Sequence, residues 1–166
     1  MQFSIFKLES VGSIVISIFI GFLLNVFPWG NGPWVPDFLL VILAFWVFQS
    51  PDKINLFTAF FLGILMDIQT AQFMGIHSIT YLIASFLILI WTRRLLNTSL
   101  LGQTLIVFQV FLIAHTIEIL ILWFSLPAND LSFINIVLPS LIQSLFWPII
   151  SKLFVGQTSN FSRNNS

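Results

Sequence analysis

The chain has 166 residues; 58% are hydrophobic, 7% are charged, the net charge is zero and the mean hydropathy is +1.02. A soluble domain carries about 25% charged residues, so this sequence has too few charges to cover the surface of a water-soluble enzyme, and it has no basic excess to attract nucleic acid. With no cysteine, disulfides, Cys-ligated metals and thiol chemistry are excluded as well.

A helix rises ~1.5 Å per residue, so a ~30 Å hydrocarbon layer calls for ~20 apolar residues. On that scale the sequence predicts an all-α integral membrane protein, a bundle of about six transmembrane helices in one domain over residues 1–155. The first span, about 10–28, follows Lys7 like the apolar core of a signal peptide. The residues after its apolar run, Asn25-Val26-Phe27-Pro28-Trp29, contain no small-residue cleavage site, so it reads as a retained helix. Pro28 to Pro33 form a break. The second span, about 34–49, has an uninterrupted apolar run only from Phe38 to Phe48, ~16 Å long. Ser50-Pro51-Asp52-Lys53 turns the chain into a third span at about 54–73, followed by spans at about 77–92, 101–124 and, after Pro127-Ala128-Asn129-Asp130, 133–154. Residues 156–166 are polar and read as a disordered cytoplasmic tail.

A re-entrant segment is the alternative for the short second span, and the cations decide against it. With six crossings and both termini inside, Lys7, Lys53, Arg93, Arg94, Lys152 and Arg163 all fall on the cytoplasmic side, as the positive-inside rule requires. A re-entrant segment would send Arg93 and Arg94 outward. Trp29, Trp34 and Trp123 then fall near the outer interface and Trp91 near the inner one.

Few residues offer chemistry. The third span carries a stripe with a period of four, Asn55, Ala59, Gly63, Asp67, Ala71 and Gly75, which lies on one helix face. Its small members suit the close approach of another helix. Asp67 is costly against lipid and must face protein, a helix terminus or an outer cavity; capping, helix pairing, solute or proton handling and partner contact are the readings. In the fifth span His115 and Glu118 are three apart and share a face, either as a proton relay or metal site or as a bonded pair fixing a helix contact. Two ligands are too few for a metal, and the other histidine, His77, falls in an outer loop, so no metal or cofactor is expected. Pro139 and Pro148 flank Gln143 in the sixth span and predict a kinked helix. No phosphate-binding, hydrolase or dinucleotide motif is present.

The stretch Pro36-Asp37-Phe38-Leu39-Leu40-Val41, then Ala44-Phe45-Trp46 and Ser50-Pro51-Asp52-Lys53-Ile54-Asn55, resembles the rod shape-determining protein MreD family. Thr58-Ala59-Phe60, Gly63-Ile64-Leu65-Met66-Asp67 and Met74-Gly75-Ile76-His77-Ser78, ending near Tyr81, continue the likeness. Gly63, Asp67 and Gly75 match the family's most characteristic positions. Ala71 stands where the family often has glycine, and Met74 where it has leucine. The resemblance implies a non-enzymatic, multi-pass component of the bacterial inner membrane. Such a component acts beside MreC and, indirectly, MreB, RodA and its partner penicillin-binding transpeptidase, in support of lateral peptidoglycan synthesis. It also implies a fold similar to the substrate-binding components of energy-coupling-factor transporters, which makes a small-solute carrier the alternative function. The expected partner surfaces are the small-residue faces, the outer segments at Trp34 to Asp37 and Gln69 to His77, and the inner segment at Pro51 to Asn55.

Overall fold

A computed structural model describes residues 11–29, 34–71, 75–125 and 133–163, with side chains as far as Phe154. Six helices make up this structure: α1 (Val11–Val26), α2 (Phe38–Gln49), α3 (Leu56–Thr70), α4 (Ile76–Leu96), α5 (Leu100–Ser125) and α6 (Ile134–Arg163). Among the described residues there is no strand. The helices α4, α5 and α6 (as far as Phe154) are long and apolar enough to cross a membrane, whereas α1, α2 and α3 are shorter apolar helices.

Local chemistry sets the helix ends. Asp37 caps α2 by accepting from the Leu40 amide at 2.9 Å, and Ser50, held before Pro51, ends it. Asn55 caps α3 by accepting from the Thr58 amide at 3.2 Å. Ala71 closes α3 in the left-handed region, with φ at 51°. Gly75 opens α4 with φ at 109°, a conformation that costs glycine little. Arg93 and Arg94 lie in the last turn of α4, where the helix dipole favours cations. The amide of Gln103 donates to the carbonyl of Leu95 at 3.0 Å and so ties the start of α5 to the end of α4.

The helices alternate in direction. The C-terminal parts of α1, α3 and α5 meet the N-terminal parts of α2, α4 and α6 at one end, through Asn25 and Asp37, Asp67 and His77, and His115 and Gln143. Around α2 pack α1, α4 and α6, while α3 lies on α4, α4 on α5, and α5 on α6. That central position explains the short second segment. Nine of the twelve residues of α2 are buried, as expected of a helix that is apolar all round. Trp46 of α2 donates its indole N–H to Ser17 of α1 at 2.6 Å, and Phe45 packs against Trp147 and Phe154 of α6. The other helices turn large apolar side chains outward, among them Phe19, Phe61, Ile90, Leu101 and Ile149. Polar groups such as Asp67, Gln143 and Ser144 are buried. This inside-out arrangement belongs to a membrane protein.

Two expectations change. α6 runs on to Arg163, where an unstructured tail from residue 156 is the sequence reading. Extending an existing helix adds one hydrogen bond for each residue fixed, so the helix outlasts its apolar stretch. Residues 164–166 lie outside the described residues. His77 belongs to the first turn of α4 and not to a loop. Pro139 and Pro148 both stand inside α6.

Candidate functional site

The stripe on α3 builds the first part of the site. At Gly63 the backbone of α4 comes so near that a Cβ would stand 2.3 Å from Ser78 Cα and 2.6 Å from Ser78 N. Only a residue without a side chain allows that approach. One turn further along, Asp67 meets the start of α4. Its Oδ2 accepts from the Gly75 amide at 2.7 Å and from Ser78 Oγ at 3.0 Å. Its Oδ1 accepts from the His77 amide at 2.8 Å and lies 2.9 Å from His77 Nδ1. Gly75 has no side chain with which to cap α4, so a carboxylate from the preceding helix satisfies the exposed amides. Asp67 is 1% exposed; among its expected roles, this geometry is helix capping and pairing.

A second carboxylate braces α2. Asp37 Oδ1 accepts from the Asn25 amide at 2.7 Å, and Asp37 Oδ2 accepts from the Tyr81 hydroxyl at 2.6 Å. Asn25 returns an acceptor, its Oδ1, to the Phe38 amide at 2.9 Å, and its amide nitrogen lies 3.6 Å from Met66 Sδ. Four helices are thereby linked at one end.

The third part is a relay of side chains between α5 and α6. His115 Nδ1 lies 2.9 Å from Glu118 Oε2, and His115 Nε2 lies 3.1 Å from Gln143 Oε1. Gln143 is 1% exposed. Beside this chain is a cavity of about 200 Å³ lined by Asp37, His77, His115, Glu118, Asn135 and Gln143, with Val35, Ile119 and Pro139. A second cleft of about 540 Å³ shares Val35, Asp37 and His77 with it, and runs along Asn25, Phe27, Pro28, Trp29, Pro36, Met66 and Thr70.

The structure thus brings together Pro36, Asp37, His77, His115 and Glu118. Asp67 lies behind His77 and lines neither cavity. Ala59 and Gly63 face α4 of the same chain and are buried, so the small-residue face expected to receive a partner is already filled. Pro51 and Asn55 stand at the far end of the helices, in the connection that caps α3. Ala71 is the exposed C-cap of α3. Among the described residues no three of His, Cys, Asp and Glu are grouped as a metal site requires. Sequence reasoning passed over Asn25 as a functional residue. The signal was there: it is an amide at the end of an otherwise apolar helix, shortly before a proline. Tyr81, the one tyrosine of the chain, entered only through the family likeness, since nothing near it in sequence pairs with its hydroxyl.

Residues 4–155 match the family described as rod shape-determining protein MreD. The chain is 28% identical to the Haemophilus influenzae rod shape-determining protein MreD over 137 residues, which covers 81% of this chain and 83% of that protein. No solved structure matches the chain.

Proposed function

From the premise that this chain belongs to the rod shape-determining protein MreD family, we propose that it is a non-enzymatic component of the rod-shape machinery in the bacterial inner membrane. In this reading it binds MreC and, through that contact, supports lateral peptidoglycan synthesis. The observation that carries the proposal is the family match along residues 4–155, which takes in α1 to α5 and α6 as far as residue 155.

In this proposal all six helices cross the membrane, with both termini in the cytoplasm. The charge pattern supports it. Lys53 in the α2–α3 connection, Arg93 and Arg94 in the last turn of α4 and Lys152 in the C-terminal half of α6 lie away from Asp37, Asp67 and Glu118, and a cationic end is the one retained inside. Twelve residues of α2 span only ~18 Å. Its enclosure by α1, α4 and α6 lets it stay short, because protein and not lipid meets its ends.

With the Ala59–Gly63–Asp67 face taken by α4, the partner surfaces in this reading are the remaining expected segments. Trp34 to Asp37 and Gln69 to His77 provide one at the carboxylate end, and Pro51 to Asn55 one at the cationic end. Deleting the gene should turn rod-shaped cells round, and expressing this chain should restore both the rods and the co-purification of MreC. Cells that stay rod-shaped after deletion would overturn the assignment.

The solute-carrier alternative calls for a cavity of ~300–1,000 Å³ with a largely apolar lining. His115, Glu118 and Gln143 do share a cavity, but it measures about 200 Å³ and its lining is mostly polar, and the adjoining cleft of about 540 Å³, which has the size, is lined by none of the three. Asp67 is committed to α4. The carrier reading therefore takes second place.

A further inference from the structure

We propose that His115, Glu118 and Gln143 form a one-proton switch: when the His115–Glu118 pair loses a proton, the Gln143 amide turns over and presents the cavity of about 200 Å³ with an acceptor in place of a donor. The inference goes beyond the shape function and does not rest on it.

The count of donors and acceptors carries it. One imidazole stands between a carboxyl group and a carboxamide, with Nδ1 2.9 Å from Glu118 Oε2 and the ring Nε2 3.1 Å from Gln143 Oε1. Two oxygens face two ring nitrogens, so each contact needs its own proton. One is shared between Nδ1 and Glu118, and the other sits on the ring Nε2, because a carboxamide oxygen only accepts. The pair is then neutral overall, as imidazolium with carboxylate or as imidazole with carboxylic acid.

Loss of one proton to water leaves the pair with a charge of −1. An ionised carboxylate has only lone pairs, so the remaining proton stays on Nδ1 and the ring Nε2 becomes an acceptor. Facing Gln143 Oε1, that nitrogen would meet a second lone pair. An amide resolves the clash because it accepts at one end and donates at the other. Half a turn about its terminal torsion, whose profile is broad and two-fold, exchanges the ends and leaves the heavy-atom outline as it was. The packing of α5 on α6 is therefore undisturbed.

Burial makes the exchange felt at the cavity. Gln143 is 1% exposed and lines it, and its amide nitrogen has no hydrogen-bond partner among the described residues. A buried amide needs a partner at each end, so whichever end leaves His115 turns to the cavity. The Glu118 side chain is 18% exposed and lines the same cavity, which gives the proton a way out.

The neighbours set the pH of the step without sharing in it. Asp37 before α2, His77 and Tyr81 of α4, and Asp67 of α3 behind His77 are the other titratable groups at this end among the described residues. On α6 the cavity meets Asn135, Pro139 and Gln143, and α5 has no titratable group besides the pair. Asp37 is bonded to Asn25, Leu40 and Tyr81, and His77 to Asp67; none of these bonds to His115 or Gln143.

The test is a pH titration of the purified full chain in detergent micelles, with the histidine rings and glutamine amides labelled with nitrogen-15. Of the two histidines, His115 is the one whose ring lies against a glutamine amide. Between about pH 5 and pH 9 the ring Nε2 should lose its proton while Nδ1 keeps its own. The Gln143 amide signals should move with the same midpoint. Their hydrogen exchange, relative to free glutamine at the same pH, should slow at least about tenfold as the NH₂ leaves the cavity for the ring. Glu118→Gln supplies a group that donates to Nδ1, so the neutral imidazole can keep its proton on Nε2, and the Gln143 amide should no longer follow pH. A Gln143 amide that stays put while His115 titrates would overturn the switch. So would a ring Nε2 that holds its proton throughout, or a Gln143 response unchanged in the variant. If the variant does not fold, the wild-type titration decides alone.

Discussion

At the scale of single residues, the contact between α3 and α4 depends on atoms that are absent from Gly63 and present in Asp67. Gly63→Ala would place a methyl group 2.3 Å from Ser78 Cα, and backbone cannot yield as a flexible side chain does. The expected loss is about 1–3 kcal/mol, read as a lowered unfolding midpoint in micelles. Asp67→Ala would strand the amides of Gly75 and His77 and the hydroxyl of Ser78. It should cost about 3 kcal/mol or more, and Asp67→Asn, which keeps one acceptor oxygen, should cost less. Ala71 offers a test in the opposite direction. Its φ of 51° lies in the left-handed region, where a side chain costs about 1–2 kcal/mol. Ala71→Gly should therefore raise the midpoint, by a gain of less than about 1 kcal/mol because glycine also frees the unfolded chain. The preference for glycine implied there by the family resemblance has this conformational cause.

At the scale of the element, α2 is the part of the structure most dependent on packing. Leu43 in its middle is fully buried, whereas Leu101 on α5 is 81% exposed. Leu43→Ala should cost about 2–5 kcal/mol by opening a cavity among α1, α4 and α6. Leu101→Ala, facing outward, should stay within about 0.5 kcal/mol. Equal losses at the two sites, measured by unfolding in the same detergent, would contradict the central placement of α2. The same enclosure explains why Asp37 and Asn25 are polar at all: the ends of a buried helix need partners, and Asn25, Asp37 and Tyr81 supply them from three helices.

At the scale of the whole molecule, Asp37, Asp67 and Glu118 lie towards one end, and the described cations lie towards the other, together with Asp52. A chain without cysteine is a clean background for single-cysteine labelling. Substitutions at Lys53 and Arg93 should be protected from a membrane-impermeant reagent in intact cells, and one at Asn135 should react. A periplasmic label at Lys53 or Arg93 would invert the proposed topology.

The sequence by itself determined the solvent and the elements. Runs of apolar residues broken by Pro-, Gly- and Asn-containing turns locate the helices to within a few residues, apart from the C-terminal end of α6, because helix length and hydropathy are local properties. The spacing of Gly63, Asp67 and Gly75 also made a close helix contact and a capping carboxylate legible. Tertiary structure decided which helix answers. It closed the small-residue face with α4 and placed His77 beside Asp67. It also joined Asp37 to Tyr81 across 44 positions of chain and His115 to Gln143 across 28. Such pairings arise from which helices become neighbours, and periodicity along one helix carries no information about the helix opposite it.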